Sequence, residues 1–224
     1  MLNDDFIKGN ELFKKSYFKT NEKELLKLAK KGQNPKALYI GCSDSRVIPD
    51  LMTQTGPGDL FVVRNVGNFV APYSPNIDYH STASAIEYAV SVLNVEEIII
   101  CGHTHCGACK SLYQDIDDEE LIHTKKWLEL GQQAKSMATL ALGANAYKSE
   151  STKEPLLRLT EKISVVTQIE NILTYPSVKK RVDEGKVHIH GWMYDIETGN
   201  IEFYDPETCQ YLPLSEQEID LDEN

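Results

Sequence analysis

The chain has 224 residues, 41% of them hydrophobic and 25% charged, with a formal net charge of -11 and a pI near 5.0. That is enough chain for one sizeable core with appendages and rather little for two domains, and the balance is that of neither a disordered nor a fibrous protein. Such acidity excludes nucleic acid as a partner, because phosphate contacts need clustered Lys and Arg.

The opening stretch MLNDDFIKGN has neither the basic segment nor the apolar core of a secretory leader, and no apolar run reaches membrane-spanning length. A cytoplasmic location without membrane contact is therefore expected. Residues 4–31 carry Phe6, Leu12, Phe13, Leu25 and Leu28 at helical spacing among many charges, which predicts two amphipathic helices ending at Gly32 and Pro35. ALYIGC (37–42), DLFVVRNVGN (59–68) and EEIIICG (96–102) read as buried strands. Between the last two, YHSTASAIEYAVSVLNV reads as a helix with Ala83, Ile86, Ala89, Val90 and Leu93 on one face. Strands alternating with helices predict a parallel sheet covered by helices.

A helical pattern runs from Glu119 to Leu142. A second spans 154–173, where Leu156, Leu159, Ile163, Val166, Ile169 and Leu173 keep one register although ISVVTQI is locally β-like. KVHIHGWMYD and NIEFYD, joined by IETG, predict a terminal hairpin, and SEQEIDLDEN an acidic frayed end. The fold class is thus α/β, with a mostly parallel central sheet of about four strands plus an edge strand. A single domain over 1–224 is expected, divided into a helical arm (1–34), an α/β core (35–205) and a tail (206–224).

Two stretches that each follow a predicted strand hold the reactive side chains: CSDSR at 42–46 and CGHTHCGAC at 101–109. In open parallel sheets sites form at the carboxyl ends of strands, so the two are placed to meet. Cys42, Asp44 and Arg46 alternate, which would put all three on one side if the extended path continued. His103 and Cys106 have a spacing that shares a face if the chain turns into a helix there. Two thiolates and an imidazole make a Cys2His donor set that zinc accepts in tetrahedral geometry, with His105 competing with His103 on spacing alone. The fourth position falls to Asp44 or to water, a choice that separates a closed site from a catalytic one. Two thiolates cancel the charge of zinc, so bound water needs help to lose its proton. Asp44 could orient a zinc hydroxide while Arg46 keeps that carboxylate ionised.

CSDSR followed by HTHCGAC resembles the β-class carbonic anhydrases, and the resemblance extends from about Gln33 to Asp195. It implies one zinc per chain on Cys42, His103 and Cys106, and an Asp44/Arg46 dyad. The activity it implies is reversible hydration of carbon dioxide to bicarbonate and a proton by zinc-bound hydroxide. By the same similarity Gln33, Phe61, Val66 and Tyr88 line a small apolar substrate pocket. The resemblance also implies a homodimer or homotetramer in which the N-terminal helices embrace the partner. In one subgroup bicarbonate binds a regulatory Trp, Arg and Tyr; here Arg64 and Tyr194 match, whereas the tryptophan position holds Tyr39.

Taken alone, Cys42 reads as a buried core cysteine and Asp44 as a turn residue; their company changes that. Cys101 and Cys109 read as core, Cys209 as incidental, and His80, His123, His188 and His190 as structural or surface. Arg64, inside an apolar strand, is expected to pair at an interface. CSDSR is too short for a phosphate-cradling cysteine loop, and HTHCGAC lacks the Glu and Pro of a zinc deaminase. The rival readings are a noncatalytic closed-zinc or bicarbonate-sensing module, which has no need of Arg46, and a hydrolase of carbon disulfide or carbonyl sulfide.

Overall fold

In the computed structural model, which describes residues 4–76 and 80–217, the apolar runs become strands β1 (Ala37–Cys42), β2 (Leu60–Asn65), β3 (Glu97–His103) and β4 (His188–Tyr194). With β5 (Ile201–Asp205) and β6 (Gln210–Pro213) they form one sheet in the order β2-β1-β3-β4-β5-β6. The first four are parallel and the last two antiparallel. The expected hairpin is β4–β5. The segment read as tail from 206 instead returns as β6, whose Tyr211 hydroxyl donates to the Lys162 carbonyl at 2.8 Å. A four-residue strand is too short to announce itself by alternation; pairing with β5 decides it. Of the acidic end, residues 218–224 lie outside the described residues.

The helices are α1 (Asp4–Phe13), α2 (Glu22–Lys31), α3 (Pro49–Thr53), α4 (Ser81–Ser91), α5 (Gly107–Ser111), α6 (Ile122–Leu128), α7 (Gln132–Leu142), α8 (Glu150–Ile172) and α9 (Pro176–Asp183). None is long and apolar enough to cross a membrane. The helical pattern over 119–142 is realised as α6 and α7 joined through a 3-10 turn at Glu129–Gly131. A Cβ on Gly131 would lie 2.9 Å from both Leu112 and Phe69, so only glycine lets the chain pass. α3 and α9, which the pattern did not announce, each open on a proline in the first turn, where a missing N–H costs nothing.

One sheet face carries Leu38, Ile40, Ile98 and Ile100 in the main core with Ile86 and Val90 of α4, Val165 and Ile172 of α8, and Val178 of α9. The other carries Ala37, Tyr39, Ile99 and Cys101. α8 is covered on two sides, which corrects its expected core face. Its most buried residues are Leu156, Thr160, Glu161, Ser164, Val165, Thr167, Gln168 and Ile172. Leu159 and Ile163 pack sideways with Ala138 of α7, and an apolar register cannot distinguish two packed faces.

The close approach of α8 to the sheet depends on two strand glycines. A Cβ on Gly102 would fall 2.6 Å from Val165 Cγ2, and one on Gly191 2.8 Å from Ile169 Cδ1. Val165 is a stiff, fully buried β-branched side chain and has nowhere to move. Gly102→Ala is expected to lower unfolding free energy by about 1–3 kcal/mol, read from urea denaturation of the metal-free protein.

Candidate metal centre

β1 and β3 are neighbours in the sheet, yet the chain leaves β1 for β2 on one side and enters β3 on the other. This is a topological switch, where loops diverge and leave a crevice at the carboxyl ends of the strands. Cys42 ends β1, His103 ends β3, and Cys106 caps the start of α5. All three are buried, and their donor atoms lie within 4.8 Å of one another. His103 Nδ1 sits 2.9 Å from the Thr104 carbonyl, which can only accept, so Nδ1 carries the proton. Nε2 is buried without a hydrogen-bond partner. An unpartnered imidazole lone pair beside two thiols fits a metal ion, and thiol and imidazole donors suit zinc.

The grouping arises by turns, which corrects the geometry expected from sequence. The strand stops at Cys42, and Asp44 and Arg46 are brought to the site by a side-chain-closed turn in which Asp44 Oδ1 accepts the Arg46 amide at 3.0 Å. Likewise His103 and Cys106 share no helical face, since one ends a strand and the other precedes a helix. The intervening turn places His105 in the left-handed region at φ +59°.

Arg46 grips Asp44 in a fork, Nε to Oδ1 at 2.9 Å and Nη2 to Oδ2 at 2.8 Å. Nη2 also donates to the His105 carbonyl at 3.1 Å, tying the two turns together. The guanidinium holds the Asp44 carboxyl well below the usual carboxylate range. Asp44 therefore stays charged and faces Arg46, outside the Cys42–His103–Cys106 group. Its amide donates to Cys42 Sγ at 3.4 Å. In the metal-free chain the hydrogen bond that Cys42 donates to Cys106, together with burial, pushes the Cys42 thiol up to about 12. The neighbouring Cys109 thiol raises Cys106 likewise, so metal uptake must release protons.

Arg64 supports the first turn, with Nε on the Cys42 carbonyl at 2.9 Å and Nη2 on the Asp44 carbonyl at 2.6 Å. Tyr39 and Tyr194 lie together on one sheet face, where Tyr39 is fully buried with its hydroxyl 3.9 Å from the Met52 sulfur. Phe61 and Tyr88 stack at 5.9 Å, while Val66 follows β2 and gives its carbonyl to Trp127 Nε1 at 2.7 Å. Gln33 is exposed, and Val66 and Tyr88 are each 45% exposed. His105 meets Glu197 at 3.3 Å. The residue that sequence reasoning missed is Glu161, buried in α8, which accepts the Cys106 amide at 2.8 Å. Its one signal was a polar stripe of Thr160, Glu161, Ser164 and Gln168 in a helix otherwise rich in Leu, Ile and Val.

A family model described as carbonic anhydrase matches residues 37–201. Similar proteins include the carbonic anhydrase of Synechococcus elongatus, 39% identical over 198 residues that span 87% of this chain and 69% of that protein. Another is that of Pseudomonas aeruginosa, 36% identical over 212 residues spanning 95% and 92%. Among solved structures, the β-carbonic anhydrase CcaA superposes with a TM-score of 0.85 at 34% identity, covering 94% of this chain and 91% of that one. A structure of tetrameric β-carbonic anhydrases from Sordaria macrospora gives 0.75 at 30% identity, covering 88% and 93%.

Zinc added to metal-free protein is expected to bind at about one ion per chain and, at free zinc roughly a thousandfold above Kd, to stabilise the fold by about 4 kcal/mol. Competition titration and thermal unfolding measure both. Cys42→Ser and His103→Ala should lose the tight binding and the added stability together.

Proposed function

The chain belongs to the β-class carbonic anhydrases and catalyses the reversible hydration of carbon dioxide to bicarbonate and a proton, and we propose that Cys42, His103 and Cys106 hold its zinc ion while Asp44 and Arg46 form its catalytic dyad. Zinc, when bound, supplies the Lewis acidity that makes water a nucleophile near neutral pH. The Thr104 carbonyl keeps the His103 proton on Nδ1 and leaves Nε2 as the donor. The Asp44 amide, directed at Cys42 Sγ, favours the thiolate.

The single observation that carries the reading is the forked Asp44–Arg46 pair beside the donor group. Held ionised, the carboxylate can only accept, so it takes a hydrogen bond from the attacking water and fixes the direction of that oxygen toward the substrate. Held by Arg46, it would stand apart from the three donors, whereas a closed structural site would need Asp44 as a fourth. That geometry does not favour the noncatalytic reading. In the same proposal Gln33, Phe61, Val66 and Tyr88 line the substrate pocket, where the stacked Phe61 and Tyr88 rings offer a nonpolar molecule an apolar surface.

Assembly into a homodimer or homotetramer is part of the same proposal. α1 and α2 bury no residue, and they expose Phe6, Ile7, Leu12 and Phe13. An apolar arm and a half-open pocket on one chain call for a second copy as cover.

Stopped-flow hydration of carbon dioxide by zinc-loaded protein tests the dyad. Asp44→Ala and Arg46→Ala are expected to keep the metal and lose about 100-fold or more in kcat/KM; near-wild-type rates would remove both residues from the mechanism. For the assembly, removing residues 1–31 should convert the oligomer to smaller species in sedimentation velocity, and an unchanged sedimentation coefficient per mass would refute the arm's role.

A further inference from the structure

α8 comes close enough to the ends of β3 and β4, through Gly102 and Gly191, to put a side chain directly beneath the metal-ligand turn. That side chain is Glu161, 2% exposed. Its Oε1 accepts the backbone N–H of Cys106 at 2.8 Å and the Arg158 guanidinium, through Nη2, at 3.0 Å. The His105 amide also faces this carboxyl, and the rest of the turn is secured elsewhere. Thr104 donates its amide to the Tyr194 carbonyl at 2.9 Å and its hydroxyl to Asp195 at 3.2 Å, and the His105 carbonyl accepts from Arg46. The Cys106 amide, one bond from the Cα that carries the sulfur, is secured by Glu161.

As a fold element the Glu161–Arg158 pair is poor. Glu161 Oε2 and Arg158 Nε and Nη1 are all buried without hydrogen-bond partners. Buried ion pairs with unsatisfied atoms are commonly no better for stability than apolar residues of the same volume. A native protein that keeps one calls for a reason beyond packing. The reason is local: His105 occupies the left-handed region, a conformation that persists only where the surroundings over-determine it, and Cys106 is the next residue.

We infer that Glu161 is a positioning residue of the metal centre, whose carboxylate fixes the Cys106 main chain and so aims its sulfur at the point shared with Cys42 and His103. The inference rests on those three residues being the zinc ligands. Supporting groups around metal ligands set affinity by about 10–100-fold, and that is the effect expected here.

The experiment measures zinc affinity by competition titration and the absorption spectrum of the cobalt-substituted protein. Arg158→Met combined with Glu161→Met removes both charges at nearly constant volume and removes the acceptor. It should fold as well as the wild type, bind zinc about 10–100-fold more weakly and shift the cobalt spectrum. Glu161→Asp keeps a charge beside Arg158 but stops one methylene short of the Cys106 amide, and should show the same loss. Glu161→Gln retains an acceptor oxygen and should stay within about threefold of the wild type with an unshifted spectrum, a rescue that packing alone does not predict. Wild-type affinity and spectrum in the double variant would overturn the inference while leaving the ligand set standing. Should the double variant not fold, the same result in Glu161→Asp overturns it. A wild-type chain that takes up no zinc overturns both the inference and the ligand set.

Discussion

The parallel pairing of β1 with β3 is the constraint on which the site depends. Its register sets Gly41 opposite Cys101, so the two strands end within a residue of each other and deliver Cys42 and His103 to the same height. No local preference of either segment could do this, since some sixty residues separate them. The register is held because both strands are buried on both faces, and a slip by one residue would exchange every core side chain for its neighbour. Binding geometry is in that sense a by-product of hydrophobic burial, with the chemistry confined to the first few residues beyond each strand.

Those residues are then stabilised by groups that point back at the main chain. Arg64 takes two carbonyls of the first turn, Arg46 spans both turns, and Glu161 takes an amide of the second. Three charged side chains, on β2, in the first turn itself and on α8, thus fix the main chain where it leaves β1 and β3. The electrostatic consequence is asymmetric. Asp44, beside a guanidinium and partly open to solvent, is kept ionised, whereas the thiols, buried beside one another, resist ionisation until a cation arrives.

The parallel strands, α4 and the five reactive residues could be read from the sequence because each carries a strong local signal: unbroken β-branched runs, helical apolar spacing, and donors clustered just past a strand. The route by which Asp44 and Arg46 reach the cavity could not, since strand alternation and an aspartate-closed turn bring the same residues to one side by different paths. β6 was too short to show a period, α8 was packed on two sides, and the use of Arg64 was hidden because its partners are carbonyls, which have no sequence signature. Glu161 stayed invisible for the opposite reason: one glutamate in a mixed helix looks like any solvated residue until the neighbouring strand turns out to carry a glycine.

The N-terminal arm has a thermodynamic standing of its own. α1 runs on through a π turn at Lys14–Phe18, α2 is ten residues long, and neither has a fully buried residue on its own chain. Helices so lightly packed rest mainly on their own hydrogen bonds, which leave short segments marginal in water because nucleation is costly. Under the assembly proposed above, folding of the arm and association of subunits become one equilibrium, so protein concentration enters as a variable of secondary structure. Dilution would then unwind the arm before it touched the sheet.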